Sequence, residues 1–266
     1  MKRRSFVKAS LLTTAFGGMI PMVGKSSKNS EDKKTSSEFY ELRAYTLNNQ
    51  QQEQLLDTYF EKAAIPALNR IGCKPVGVFK EMKPEGQTKF YVLIPYPTLE
   101  YITIAEQKLS ADKEYQKDAY TYLNAPATSP AYERIESSLL RSFKHMPRIE
   151  SPSKKSRMFE LRRYESSSEA AGKKKIEMFN DAGEIDIFRR TGLTPVFFGE
   201  TIIGGLRPNL TYMLTFSDMA DHDKSWKAFG SDPEWKKISG MPEYADAKIV
   251  SHITSTFLIP TDYSQI

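Results

Sequence analysis

Met158-Phe159-Glu160-Leu161-Arg162-Arg163-Tyr164 restates, 119 positions later, the stretch Phe39-Tyr40-Glu41-Leu42-Arg43-Ala44-Tyr45. A chain that repeats itself at such spacing is expected to fold as two copies of one unit. Each stretch reads as a strand, in which alternate side chains share a face. Glu41, Arg43 and Tyr45 therefore stand together, as do Glu160, Arg162 and Tyr164, while Leu42 and Leu161 point the other way.

The repetition continues beyond these strands. Apolar residues at Leu55, Leu56, Tyr59, Phe60, Ala63, Ala64, Ala67, Leu68 and Ile71 have helical spacing, and Gly72 ends the run. Pro66 falls inside it and is expected to kink or split the helix. The second copy offers Ile176, Phe179, Ala182, Ile185 and Phe188, stopped by Gly192. Gly72-Cys73-Lys74-Pro75-Val76 then matches Gly192-Leu193-Thr194-Pro195-Val196, each opening a strand. Tyr91 and Leu93 answer Tyr212 and Leu214, and Ala111-Asp112-Lys113-Glu114-Tyr115 answers Ser231-Asp232-Pro233-Glu234-Trp235. Offsets of 119 to 121 place a one-residue slip in the first helix. A final strand matched as Ile135–Phe143 with Ile249–Phe257 drops the offset to 114, which predicts about six extra residues near Ala125–Tyr132 in the first copy.

Each half thus reads strand, helix, strand, strand, helix, strand, the ferredoxin-like βαββαβ plan of an α+β fold. Strands such as Tyr91-Val92-Leu93-Ile94 are apolar on both faces, so a second sheet has to cover the face the helices leave bare. Two tandem copies supply it to each other, as an intrachain dimeric α/β barrel. The expected domains are 38–146 and 157–266, joined by a linker at 147–156.

Ahead of them, Lys2-Arg3-Arg4-Ser5-Phe6-Val7-Lys8 and the weakly apolar run Ala9–Val23 describe an export signal at 1–24 rather than a membrane span. The paired arginines, with Phe6 and Lys8 behind them, resemble a twin-arginine signal. Residues 25–37 hold no apolar side chain and read as a disordered linker. The chain has 38 Lys+Arg against 33 Asp+Glu. Removing the four basic residues of the signal leaves 34 against 33, so no nucleic-acid partner is expected, and no membrane span once the signal is gone. With Cys73 the lone cysteine, no intrachain disulfide can form.

Phe-Glu-Leu-Arg followed by Tyr, the Gly-x-x-Pro-Val step and Ser231-Asp232-Pro233-Glu234-Trp235 resemble the NIPSNAP domain family. The second half looks like a clear member and the first a diverged one, with Lys113 and Tyr115 in place of the Pro and Trp. The resemblance implies the dimeric α/β barrel class, whose members include cofactor-free monooxygenases, isomerases and haem-binding enzymes. Fold alone does not choose among them.

The candidate pocket gathers Glu41, Arg43, Tyr45, Glu160, Arg162, Tyr164, Tyr212, Trp226, Trp235 and His252. If Leu42 and Leu161 pack under the helices, the Glu–Arg–Tyr faces enter the space between the sheets. Buried Glu and Arg have to pair, so the Glu–Arg pairs are read either as structural or as ligand contacts. Asp232 is expected to cap a helix with Pro233 at its first position. His145 and His222 are expected in solvent. No metal spacing, phosphate loop or G-x-S-x-G motif occurs, so no metal and no cofactor are expected. The expected function is binding of a small, mostly apolar molecule or a partner in or near the barrel interior, in an exported protein that forms further homo-oligomers or stands alone. The other reading is a cofactor-independent oxygenase or isomerase.

The export reading has a direct test. Replacing Arg3 and Arg4 by Lys is expected to hold the precursor in the cytoplasm in cell fractionation; normal export of that variant contradicts a twin-arginine signal.

Overall fold

The computed structural model describes residues 37–153 and 157–266. The expected export signal and all but the last residue of the linker 25–37 lie outside the described residues. The first copy runs β1 (Phe39–Leu47), α1 (Gln50–Tyr59), a π-helical turn (Phe60–Ala64), α2 (Ile65–Arg70), β2 (Gly77–Glu81), β3 (Thr88–Tyr96), α3 (Tyr101–Ala111), α4 (Lys113–Asp118), α5 (Tyr120–Leu123) and β4 (Arg134–Ser142). The second runs β5 (Met158–Glu165), α6 (Glu169–Asn180), α7 (Glu184–Thr191), β6 (Thr194–Ile203), β7 (Asn209–Phe216), α8 (Met219–Ser231), α9 (Pro233–Ser239), α10 (Asp246–Ile249) and β8 (His252–Pro260).

Equivalent elements start from equivalent chemistry. Asn49 and Ser168, 119 apart, each accept a backbone N–H of the following helix, as do Asp112 and Asp232 at α4 and α9. Gly72 and Gly192 close α2 and α7 at φ 87° and 90°, a conformation that other residues adopt at a cost. The expected slip lies between the first helices. The first copy passes from α1 to α2 through a π turn just ahead of Pro66, whereas the second breaks at Gly183.

The strands close an antiparallel barrel in the order β1-β3-β2-β8-β5-β7-β6-β4. Within each copy pairing is long. Between copies, the barrel is joined along β2–β8 (Phe79↔Pro260 to Glu81↔Leu258) and β4–β6 (Leu139↔Ile203 to Ser142↔Gly199). The chain after β8 extends the first join: Thr261 N donates to Val78 O, Gln265 N donates to Val76 O, and Ser264 Oγ accepts from Val78 N. Part of the expected inter-domain linker is packed as well, with Glu150 N donating to Val196 O and Ile149 against the barrel interior.

Register corrects the last-strand alignment. Arg43 pairs with Ser137 and Arg162 with Ser255, so β4 and β8 correspond at an offset of 118 rather than 114. Ile249, the expected partner of Ile135, belongs to α10 and is buried in the second helix-side core. The expected insertion of about six residues therefore shrinks to two.

Three cores result. Two lie between each sheet and its own helices, and the third fills the barrel with Tyr40, Phe79, Leu93, Leu140, Phe159, Phe197, Met213 and Ile266. Leu42 and Leu161 belong to this interior core. Their strands therefore present Glu41–Arg43–Tyr45 and Glu160–Arg162–Tyr164 outward, beneath the helices. This reverses the expected orientation: period-two alternation separates two faces, and both are covered here. No helix among the described residues is long and apolar enough to cross a membrane.

Candidate functional site

The ten candidate residues do not share one pocket. The structure divides them between two equivalent places, each under the helices of its own repeat, and leaves His252 apart. That histidine is exposed at the start of β8, opposite Glu165.

In the second repeat the space is filled. Glu160 is 1% exposed and accepts from Arg162 Nη1 at 2.6 Å, Ser255 Oγ at 2.6 Å and Trp226 Nε1 at 3.0 Å. His222 Nε2 stands 3.4 Å from the same carboxylate, and its ring is edge-on to Phe216 and Phe257. His222 is thus largely buried rather than solvated, because α8 turns it toward the sheet. The Arg162 guanidinium lies 4.6 Å from the Trp226 ring centroid, and its Nη2 donates to Tyr164 Oη at 3.3 Å. Tyr212 Oη donates to Tyr164 Oη at 3.0 Å. Trp235 packs on Phe229 at 4.3 Å, with Asp232 capping its helix as expected.

Two charged elements beside this cluster were not anticipated. Lys175 Nζ lies 3.2 Å from Glu184, both side chains 2% exposed, with the ammonium over the rings of Phe179, Tyr164 and Trp235. Burial pushes the Glu184 carboxyl up, against the opposing pull of Lys175. The first copy has Leu56 and Ala64 at these places, so the repeat alignment carried the signal. The second element is itself repeated: Arg70 grips Asp112 at 2.7 and 3.0 Å, and Arg190 grips Asp232 at the same two distances. The Asp of the Ser231–Trp235 stretch is therefore the cap of α9, clamped by Arg190 from α7. Arg190's hydrogen bonds, with those of the Trp235 and Glu234 amides, lower the Asp232 carboxyl to about 2.

The first repeat keeps the same polar strand but not the filling. Arg43 Nε and Nη2 donate to the two oxygens of Glu41 at 2.7 and 2.8 Å, and Tyr96 and Ser137 hydroxyls donate to it at 3.1 and 3.0 Å. Burial pushes the Glu41 carboxyl up, but the hydrogen bond and charge of Arg43, then Ser137 and Tyr96, outweigh it and hold it below the usual range. Tyr45 is fully buried and takes a 3.4 Å contact from Tyr122 Oη. Beside the Glu41–Arg43 pair lies a cavity of ≈ 410 Å³ between sheet and helices, lined by apolar side chains such as Phe60, Leu68, Ile94 and Leu109 and by the polar Glu106, Ser110 and Gln116. Tyr59 and Tyr115, joined by a 2.9 Å hydroxyl contact, close one side.

The cavity has an identifiable cause. α3 and α8 both end at a capping Asp, Asp112 and Asp232, which sets their residues 120 apart. Trp226 therefore corresponds to Glu106 and His222 to Ile102, and both first-copy residues line the cavity. The indole that covers Arg162 has no counterpart over Arg43. Arg43 Nη1 has no hydrogen-bond acceptor among the described residues, while Nε and Nη2 are taken by Glu41.

Two tandem α+β repeats closed into one barrel, each with a Glu–Arg–Tyr strand under its helices, define a duplicated barrel protein. A model of the NIPSNAP family matches residues 40–146 and again 159–265, and the chain belongs to that family. No curated protein matches it. Among solved structures, a protein from Fusobacterium nucleatum provisionally named a monooxygenase aligns with a TM-score of 0.56 at 8% identity, over 85% of this chain and 93% of that one. A second provisional monooxygenase, from Lactobacillus acidophilus, gives 0.56 at 10% identity over 84% and 94%. An uncharacterised NIPSNAP-like domain protein from Burkholderia xenovorans is 18% identical over 42% of this chain and 90% of its own, at a TM-score of 0.36. At 8% and 10% identity the two longer likenesses speak for the fold alone.

The two Glu–Arg pairs are expected to differ in energetic weight. Arg162→Met strands a carboxylate that is 1% exposed and should cost about 3–5 kcal/mol. Adding Glu160→Gln should recover much of it, with a coupling above about 1.5 kcal/mol. Arg43→Met, beside an open cavity, should cost less than half as much. Urea denaturation of these three variants and of Glu160→Gln alone measures this; equal losses at the two arginines would contradict it.

Proposed function

We propose that this chain binds one small, mostly apolar molecule with a single anionic or hydrogen-bond-accepting group, in the cavity under the helices of its first repeat. The observation that carries the reading is the exchange of Trp226 for Glu106. It opens ≈ 410 Å³ beside an arginine that in the second repeat is covered. Such a volume lies in the range of small-molecule sites, about 300–1,000 Å³, and apolar walls around one fixed polar anchor are their usual make-up. Arg43, held by Glu41, is the cationic anchor here, with Glu106, Ser110 and Gln116 as further polar lining.

The alternative reading, a cofactor-independent oxygenase or isomerase, draws support from the names of the two barrel neighbours and from the tyrosines around Arg43. That chemistry asks for a base poised near the working pH. Within this cavity the carboxylate beside Arg43, Glu41, is held below the usual range and is a weak base, so binding is the stronger reading for this site. We infer further that residues 1–24 serve as an export signal, so that the protein would carry or sequester its guest outside the cytoplasm. We infer also that each repeat is a ferredoxin-like βαββαβ unit, which the strand orders β4-β1-β3-β2 and β8-β5-β7-β6 support.

Naphthalene-2-sulfonate, an apolar body with one anionic group, is a suitable probe for calorimetry. It should bind the wild-type protein, and Arg43→Met should weaken it by about tenfold or more, some 1.4 kcal/mol. Glu106→Trp, which copies the second repeat, should abolish binding while leaving the thermal melt unchanged or raised. Undiminished binding to the Glu106→Trp protein would contradict the assignment.

A further inference from the structure

The open end of the barrel holds a second cavity, separate from the sheet–helix site. It measures ≈ 330 Å³, and all eight strands contribute side chains to it. Leu42 and Leu161 form its floor, on top of the apolar packing that fills the rest of the interior.

Above that floor the wall is polar, and the two repeats supply it unequally. Where the second repeat places Arg163, the first has Ala44, so the guanidinium enters from one side and meets open space on the other. Where the first repeat places Glu81 and Glu136, the second has Thr201 and Thr254. Acids thus line the wall of the first repeat and the guanidinium stands on the wall of the second, with threonine hydroxyls between. Lys89 at the rim balances the count at two carboxylates and two cations.

These groups are only partly committed to one another. Tyr91 Oη donates to one oxygen of Glu81 at 2.9 Å, and burial, then the Glu81 charge, keeps that hydroxyl protonated. Glu136 and Lys89 have no hydrogen bond or ion pair among the described residues. Arg163 is ion-paired through Nε with Glu165 of its own strand at 3.3 Å, and its Nη2 donates to Thr254 Oγ1 at 3.4 Å, which leaves Nη1 open. Segregated, half-satisfied charges in a concave site fit a guest that brings both signs with it.

We propose that the open end of the barrel is a second binding site, for a small zwitterion of amino-acid type. Its carboxylate meets Arg163 and the Thr254 and Thr256 hydroxyls, and its ammonium meets Glu81 and Glu136. The volume lies at the low end of the small-molecule range, about 300–1,000 Å³, which suits a single amino acid. The site exists only when both repeats close the barrel, since each provides one half of the charge.

Calorimetry on the full chain with each standard free L-amino acid, and with its N-acetyl and amide forms, tests this. At least one free amino acid should bind, and masking either charge should weaken it by about tenfold or more. Arg163→Ala, which copies Ala44, and Glu136→Gln should each do the same. Ala44→Trp leaves every charge in place and fills the space, so it should abolish binding. Glu106→Trp, which blocks the other cavity, should change nothing. If no free amino acid binds the wild-type protein, or if binding survives both Arg163→Ala and Ala44→Trp, the assignment is overturned.

Discussion

Phe79 of the first repeat packs edge-on against Phe159 of the second at 4.9 Å, and Tyr40 against Phe197 at 5.5 Å. These two contacts join the sheets inside the barrel. Aromatic pairs of this geometry contribute about 0.5–1.5 kcal/mol beyond the area they bury. They fit because bulk and space alternate between the copies: the first has Gly77 and Phe79 where the second has Phe197 and Gly199. A Cβ at Gly77 would stand 2.5 Å from the Phe79 ring, and one at Gly199 2.8 Å from Leu140. Each repeat therefore carries the complement of the other's shape, and the outer faces are held in place by that inner fit.

Because both sheet faces are covered, polar strand residues have to be satisfied wherever they fall. The Glu–Arg pair of β1 and β5 meets that demand in both copies, with a serine from the last strand as a shared donor. Duplication then permits the surroundings to diverge. In the second repeat Trp226, His222 and the Lys175–Glu184 pair occupy the space, and the strand acts as internal scaffolding. In the first, Glu106, Ile102, Leu56 and Ala64 leave part of it open. One repeat is packed around its Glu–Arg pair, and the other leaves a cavity beside its own.

Much of this architecture is legible in the sequence. The offsets near 120, the glycine stops, the aspartate caps and the need for a second sheet all follow from local chemistry, and the structure bears them out. The side of the sheet occupied by the Glu–Arg–Tyr residues does not follow. Alternation in Phe39–Tyr45 distinguishes two faces without saying which one the helices cover, because Tyr40 and Leu42 are as ready to fill a barrel as a helix interface. The last-strand register was lost for a related reason: Ile249 looks like a strand residue and is buried as one turn of α10. The cavity itself was within reach, since aligning the capping Asp112 and Asp232 sets Trp226 over Glu106. His222 was not, because a histidine in a helix's first turn carries no mark of the face it takes.

The asymmetry between the repeats is the centre of this account, and the number of binding sites measures it most directly. Wild-type protein titrated calorimetrically with naphthalene-2-sulfonate should take up one equivalent. A folded Trp226→Ala protein, with the cover removed from Arg162, should take up two. One equivalent in both proteins would contradict the idea that the Trp226 indole is what keeps a guest from Arg162.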